Sequence, residues 1–162
     1  MIHIDPKERL FIMGSAALLI VFAVVVGLSA FAYGVQLPSP EQRVDPQTVA
    51  TPGVSRFGDP LDQRVRELAP GHYEAYILAR AWSFQPNQVR VPAGSRVTFY
   101  LTSVDVVHGF QIERTNVNMM VLPGQVSKLT AKFDKPGTYN FICHEYCGVG
   151  HHTMFGQIIV EP

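Results

Sequence analysis

Between Leu10 and Leu37 the chain carries no charged residue. At about 1.5 Å of rise per residue, such a run would make a helix of roughly 42 Å, enough to cross a hydrocarbon core of ~30 Å with some tilt. Its middle, L-L-I-V-F-A-V-V-V from Leu18 to Val26, is apolar all round. That suits lipid better than the single apolar face of a helix packed on protein. A cleaved leader competes with this reading, because Ala30-Phe31-Ala32 resembles a small-residue cleavage site. Leader cores usually run to only about 7–15 residues, and this one is nearly twice that. We therefore read residues 10–37 as a retained transmembrane helix in the lipid bilayer. Lys7 and Arg9 place residues 1–9 on the cytoplasmic side and all that follows the helix on the outer side.

The charged fraction of 16% is low beside the roughly 25% of a soluble domain, as the uncharged run requires. Acidic and basic residues balance at 13 each, so nothing argues for a nucleic-acid partner. Pro38, Pro40, Pro46, Pro52 and Pro60, with Gly53 and Gly58, mark residues 38–71 as a linker lying over the globular surface. Within it, Asp59 as cap and Pro60 at the first position predict a short helix from Asp59 to Leu68.

From residue 72 to 162 the pattern is β. Tyr73–Phe84, Val89–Val91, Arg96–Thr102, Val106–Ile112, Val117–Val121, Gln125–Phe133, Thr138–Ile142 and Phe155–Val160 read as strands. Pro92-Ala93-Gly94, Pro123-Gly124 and Pro136-Gly137 supply turns between them. Many short strands at such spacing argue a mainly β sandwich or barrel.

One loop interrupts the series. Cys143 to Met154 reads C-H-E-Y-C-G-V-G-H-H-T-M and holds both cysteines of the chain. Thiolate, imidazole and thioether from Cys147, His151 and Met154 make a soft donor set that suits copper. Cys143 adds a second thiolate, and two thiolates can each bridge a pair of copper ions. A disulfide and a zinc site are the competing readings. A disulfide needs neither the imidazole nor the thioether, and zinc sites rarely recruit methionine.

This loop resembles the C-x-E-x-C-G-x-x-H-x-x-M signature of cytochrome c oxidase subunit II, and the likeness extends over nearly the whole chain. The single hydrophobic span and short length look most like the B-type (ba-type) haem–copper oxidases. The resemblance implies a cupredoxin-like Greek-key β-sandwich behind one transmembrane helix, carrying a binuclear copper (CuA) centre. It also places His108, in S-V-D-V-V-H-G-F, as the second imidazole; a histidine standing alone there would more often be structural. By the same resemblance Cys143 and Cys147 bridge two copper ions, and His108 and His151 cap one each. Met154 binds the copper of His108, and Glu145 serves the copper of His151 through its backbone carbonyl. In A-type relatives the carboxylate at Glu145 also reaches a Mg²⁺ shared with subunit I, while B-type relatives often have glutamine there. The glutamate leaves open either that ion or a plain hydrogen bond across the interface.

The implied function is the electron-accepting subunit of a respiratory terminal oxidase in the cell membrane. It takes electrons from cytochrome c and passes them to haem in subunit I, where oxygen reduction drives proton pumping. A membrane-tethered cupredoxin that stores or delivers copper is the alternative. A quinol oxidase subunit would lack the paired cysteines, and a nitrous oxide reductase would need a propeller for which the sequence has no room. Trp82 is read as an electron relay or a core aromatic, and Phe84, two residues on, as facing the same side. Tyr146 and Phe155 are expected to cover the metal loop. His144 and His152 are expected not to bind copper, and His3 and His72 carry no visible site. Met119 and Met120 together suggest an apolar docking patch.

Overall fold

The computed structural model describes residues 5–35 and 39–162. Helix α1 spans Pro6–Ala32. Asp5 caps it by accepting the Lys7 N–H at 2.8 Å, and Pro6 occupies the first turn, where a missing N–H costs nothing. At the far end Gly34 takes φ +59°, and the Val35 N–H closes on the Ala30 carbonyl at 2.9 Å. The helix thus starts four residues before the uncharged run, because Asp5-Pro6 is a stronger start signal than the first apolar residue. Leu37, the expected last residue of the span, lies outside the described residues. None of the 27 helical residues is buried, and the helix is long and apolar enough to cross a membrane.

The described residues from 39 to 162 form a second compact unit of two β-sheets. In chain order the strands are β1 (Ser39–Arg43), β2 (Val65–Ala69), β3 (His72–Arg80), β4 (Ser83–Gln85), β5 (Gln88–Pro92) and β6 (Ser95–Ser103). There follow β7 (His108–Ile112), β8 (Asn118–Val121), β9 (Gln125–Phe133), β10 (Gly137–Ile142) and β11 (Phe155–Glu161). One sheet runs β1-β9-β6-β3-β2, with β4 also paired to β3; the other runs β5-β11-β10-β7-β8. β3 with β6 and β5 with β11 are parallel pairs, while the remaining pairs are antiparallel.

Alternation along the strands sends one side chain in two inward. Ile77, Phe99, Leu101, Leu129 and Phe133 from one sheet meet Val89, Phe110, Ile112, Phe141 and Ile158 from the other. Phe110 and Phe141 lie 4.9 Å apart by ring centroid, and Phe84 meets both edge-on. Each such buried side chain contributes about 1.5–3 kcal/mol. Cys143, Cys147 and Met154 belong to the same cluster, so the metal-type loop is rooted in the core.

Two strands lie inside the stretch expected as linker. β1 adds to the edge of β9, where Pro40 is tolerated because an edge strand needs no N–H on its outer side. β2 turns through Pro70-Gly71 to pair with β3. Between them, Val49 and Phe57 cover Leu78 and Val126 on the outer face of the first sheet. The helix expected from Asp59 to Leu68 does not form. Leu61–Gln63 makes one 3₁₀ turn and the chain then enters β2. Arg64, buried at that corner, donates from Nε to the Asp59 carbonyl at 2.8 Å and from Nη1 to the Gln85 carbonyl at 3.1 Å. Pairing with β3 outweighs the local cap signal.

Candidate metal centre

The site sits where β7, β10 and the loop before β11 converge. His108 opens β7 and is fully buried. Cys143 follows β10, with its N–H donating to the Met154 carbonyl at 3.0 Å, which folds the loop back onto itself. A 3₁₀ turn, His151–Thr153, then presents His151. Both cysteines are free thiols, so the disulfide reading is not what the structure shows.

The donor atoms face one another. Cys143 Sγ and Cys147 Sγ are 3.8 Å apart, too far for a bond and close enough for one ion to touch both. His108 Nδ1 is 3.9 Å from Cys143 Sγ, and His151 Nδ1 is 3.5 Å from Cys147 Sγ. Met154 Sδ lies 3.8 Å from Cys147 Sγ, and the Cys143 thiol donates to the Glu145 carbonyl at 3.2 Å. His108, Cys143 and Cys147 alone bring three buried ligand atoms within 4.8 Å of one another. Two sulfurs, two imidazole nitrogens, a thioether and a carbonyl are the donors that a thiolate-rich copper site uses.

Asp105 sets the tautomer of His108. Its Oδ1 lies 2.9 Å from His108 Nε2, and an ionised carboxylate only accepts, so Nε2 carries the proton and Nδ1 keeps its lone pair toward Cys143. Burial pushes the Asp105 carboxyl up, but hydrogen bonds from His108, the Ala81 and Val106 N–H groups and Ser103 outweigh it and hold it below the usual carboxylate range. Burial pushes the Cys147 thiol up to about 11, helped by the hydrogen bond and charge of Cys143, so without metal it stays protonated at neutral pH.

Trp82 donates its indole N–H to the Cys147 carbonyl at 3.0 Å. Its ring lies over Gly150, where a Cβ would come within 2.5 Å of the indole. Trp82 and Phe84 do not face the same side: Trp82 occupies the two-residue turn between β3 and β4 and is 42% exposed, while Phe84 is core. The turn breaks the strand, and the two-residue period lapses with it. Tyr146 is 80% exposed, with its ring centroid 5.9 Å from that of His151, so it borders the loop without sealing it. Phe155 is also exposed. Of the two adjacent methionines, Met119 is core and only Met120 reaches solvent, as alternation along β8 demands. His144 lies against Gly109 with Nδ1 3.5 Å from Glu145 Oε1, and His152 is exposed. His72 is exposed as well, and His3 lies outside the described residues.

Asp105 and Ser103 were not singled out from sequence. The usable signal was an acidic residue three positions before a candidate ligand, close enough to reach its far ring nitrogen.

Residues 77–162 match the family described as cytochrome c oxidase subunit II, periplasmic domain. A cytochrome c oxidase subunit 2 from Thermus thermophilus is 42% identical over 156 residues, covering 95% of this chain and 91% of the relative. A second subunit 2 from Thermus thermophilus is 48% identical over 120 residues, covering 74% and 87%. Among solved structures, a chain of a heme-copper terminal oxidase dimer studied by cryo-EM superposes with a TM-score of 0.73 at 35% identity, covering 96% of this chain and 99% of that one. The mainly β, cupredoxin-like architecture and the donor set fit the copper that this family implies. A fold rooted in one core, a thiolate-rich donor cluster and likeness along nearly the full length together establish that the chain belongs to the cytochrome c oxidase subunit II family.

Proposed function

We propose that Cys143 and Cys147 bridge two copper ions, that His108 and His151 each complete one of them through Nδ1, and that Met154 Sδ and the Glu145 carbonyl are the weaker donors. The observation that carries this is the convergence of the His108, Cys143 and Cys147 ligand atoms within 4.8 Å, with His151 and Met154 against Cys147. Copper held there would supply a one-electron couple, the chemistry an electron-accepting subunit needs between cytochrome c and haem in subunit I. The chain's own residues hold the donors still. Asp105 fixes the His108 ring, Trp82 pins the Cys147 carbonyl, and the core behind Cys143 excludes water. Helix α1 anchors the chain in the lipid bilayer with its N-terminus cytoplasmic and the copper domain on the outer side of the cell membrane. There it works as the electron-accepting part of an oxidoreductase complex whose oxygen chemistry lies in subunit I. The Glu145 carboxylate, half-exposed beside His144, would serve either a Mg²⁺ shared with that subunit or a hydrogen bond across the interface. Copper delivery as the sole role is not favoured, since relatives matched along nearly the whole chain are oxidase subunits.

The test is an EPR spectrum of the copper-loaded full chain in detergent. Hyperfine splitting from two equivalent copper nuclei supports the reading. Splitting from a single nucleus, or uptake of one metal equivalent per chain, overturns it.

A further inference from the structure

The donors are closed on nearly every side: His108, Cys143, Cys147 and Met154 are all buried. Among the described residues, a cavity of about 480 Å³ nevertheless reaches two of them, Cys143 and Met154, and is lined also by His151, Glu113, Asn140 and His152. The cavity beside Trp82 and Phe155 touches none of the donors.

The rim is chemically distinct from the floor. His152 is exposed and offers an imidazole beside the turn that presents His151. Glu113 places a carboxylate on the wall, where Asn140 Nδ2 donates to its Oε2 at 3.0 Å. Gln157 Nε2 donates in turn to Asn140 Oδ1 at 3.4 Å, so the acid is steadied from β11 across β10. Arg114, the neighbouring cation, is turned away onto the Thr138 carbonyl at 2.7 Å and the Tyr139 ring at 4.8 Å. The exposed side chains of Ile142 and Phe155 form the apolar walls. A cation approaching the cavity meets a fixed carboxylate and an imidazole first, and soft sulfur only at the bottom.

We propose that this cavity is the port through which copper reaches the centre, with Glu113 and His152 as the transient donors that pass the ion to Met154, His151 and Cys143. The inference rests on the copper reading above and adds the route. Loading two Cu(I) ions releases the two thiol protons of Cys143 and Cys147, and no electron changes hands. The rim donors bind more weakly than thiolate, so the ion moves inward along a gradient of ligand softness.

The test follows loading of the reduced, copper-free full chain in detergent under argon. Cu(I) is supplied as its acetonitrile complex, with a chromophoric Cu(I) chelator reporting the ion not yet taken up. His152→Asn combined with Glu113→Gln is expected to slow uptake about tenfold at low salt, in line with lost electrostatic steering. Final copper content, and the EPR spectrum after oxidation, stay those of the parent. Raising ionic strength slows the parent and leaves Glu113→Gln little changed. Uptake by the double variant at the parent's rate overturns the port while leaving the copper reading intact. A changed final spectrum or stoichiometry also overturns it, by making the rim residues part of the resident site. Failure of the parent to take up copper removes both.

Discussion

Asp105 Oδ1 lies 2.9 Å from His108 Nε2, while Nδ1 of the same ring faces Cys143 Sγ at 3.9 Å. One carboxylate thereby decides which nitrogen of a fully buried imidazole can bind metal. Asp105→Ala is expected to lower copper affinity by about 10–100-fold, the usual cost of losing such an outer partner. Asp105→Asn keeps an acceptor oxygen and is expected to lose less. Chelator competition measures both, and affinities equal to the parent's for the two variants would show that the ring is oriented by packing alone.

The copper-free protein should respond to alkali through Cys147. Its thiol is raised to about 11, chiefly by burial, so the folded state holds that proton more tightly than the unfolded chain does. Stability from this group is fully present below the ordinary thiol range, falls as pH rises toward about 11, and then levels off. Urea midpoints of the copper-free chain taken across that window check the sign. A midpoint that rises with pH there would mean the thiolate, not the thiol, is the form the fold prefers.

Thr102 Oγ1 is buried and has no hydrogen-bond partner, on a side chain that β6 directs toward the outer cover around Leu78. A hydroxyl desolvated without compensation costs stability, and Thr102→Val removes it at almost constant shape. The variant is expected to gain about 1 kcal/mol in urea unfolding. No gain would place a hydrogen-bonded water at the hydroxyl.

The strands were legible because their side chains alternate against one core. Gln125–Phe133 forms with the expected ends, and the other strands shift by a residue or two, save the split of 73–84 at the Ala81-Trp82 turn. That turn was invisible to periodicity, since Trp82 and Phe84 keep the spacing of one strand face while the backbone leaves the sheet between them. The strands at 39–43 and 65–69 were missed for a related reason. Proline content reports what a segment cannot donate, and β1 and β2 are edge strands with little need to donate outward. The clustering of Cys143, Cys147, His151 and Met154 was legible because these residues are local in sequence. His108 was named through the resemblance alone, since its 3.9 Å approach to a cysteine 35 positions away is a product of the fold, and Asp105 gains its meaning only beside it.

Gly150 lies under Trp82 with φ −88° and ψ 11°, a conformation open to any residue, so its lack of a side chain is a matter of space. A Cβ there would sit 2.5 Å from the indole. Gly150→Ala is expected to cost about 1–3 kcal/mol by overpacking, measured by urea unfolding of the copper-free chain. In a Trp82→Ala background the conflict is gone, and the same substitution should cost under about 0.5 kcal/mol; the two changes are then strongly non-additive. Trp82→Phe keeps an aromatic ring but loses the bond to the Cys147 carbonyl, worth about 1 kcal/mol, together with part of the indole surface over the glycines. Additive costs for Gly150→Ala and Trp82→Ala would show that the indole does not clamp the loop. Trp82 would then bear on this site through its bond to the Cys147 carbonyl and not through its ring.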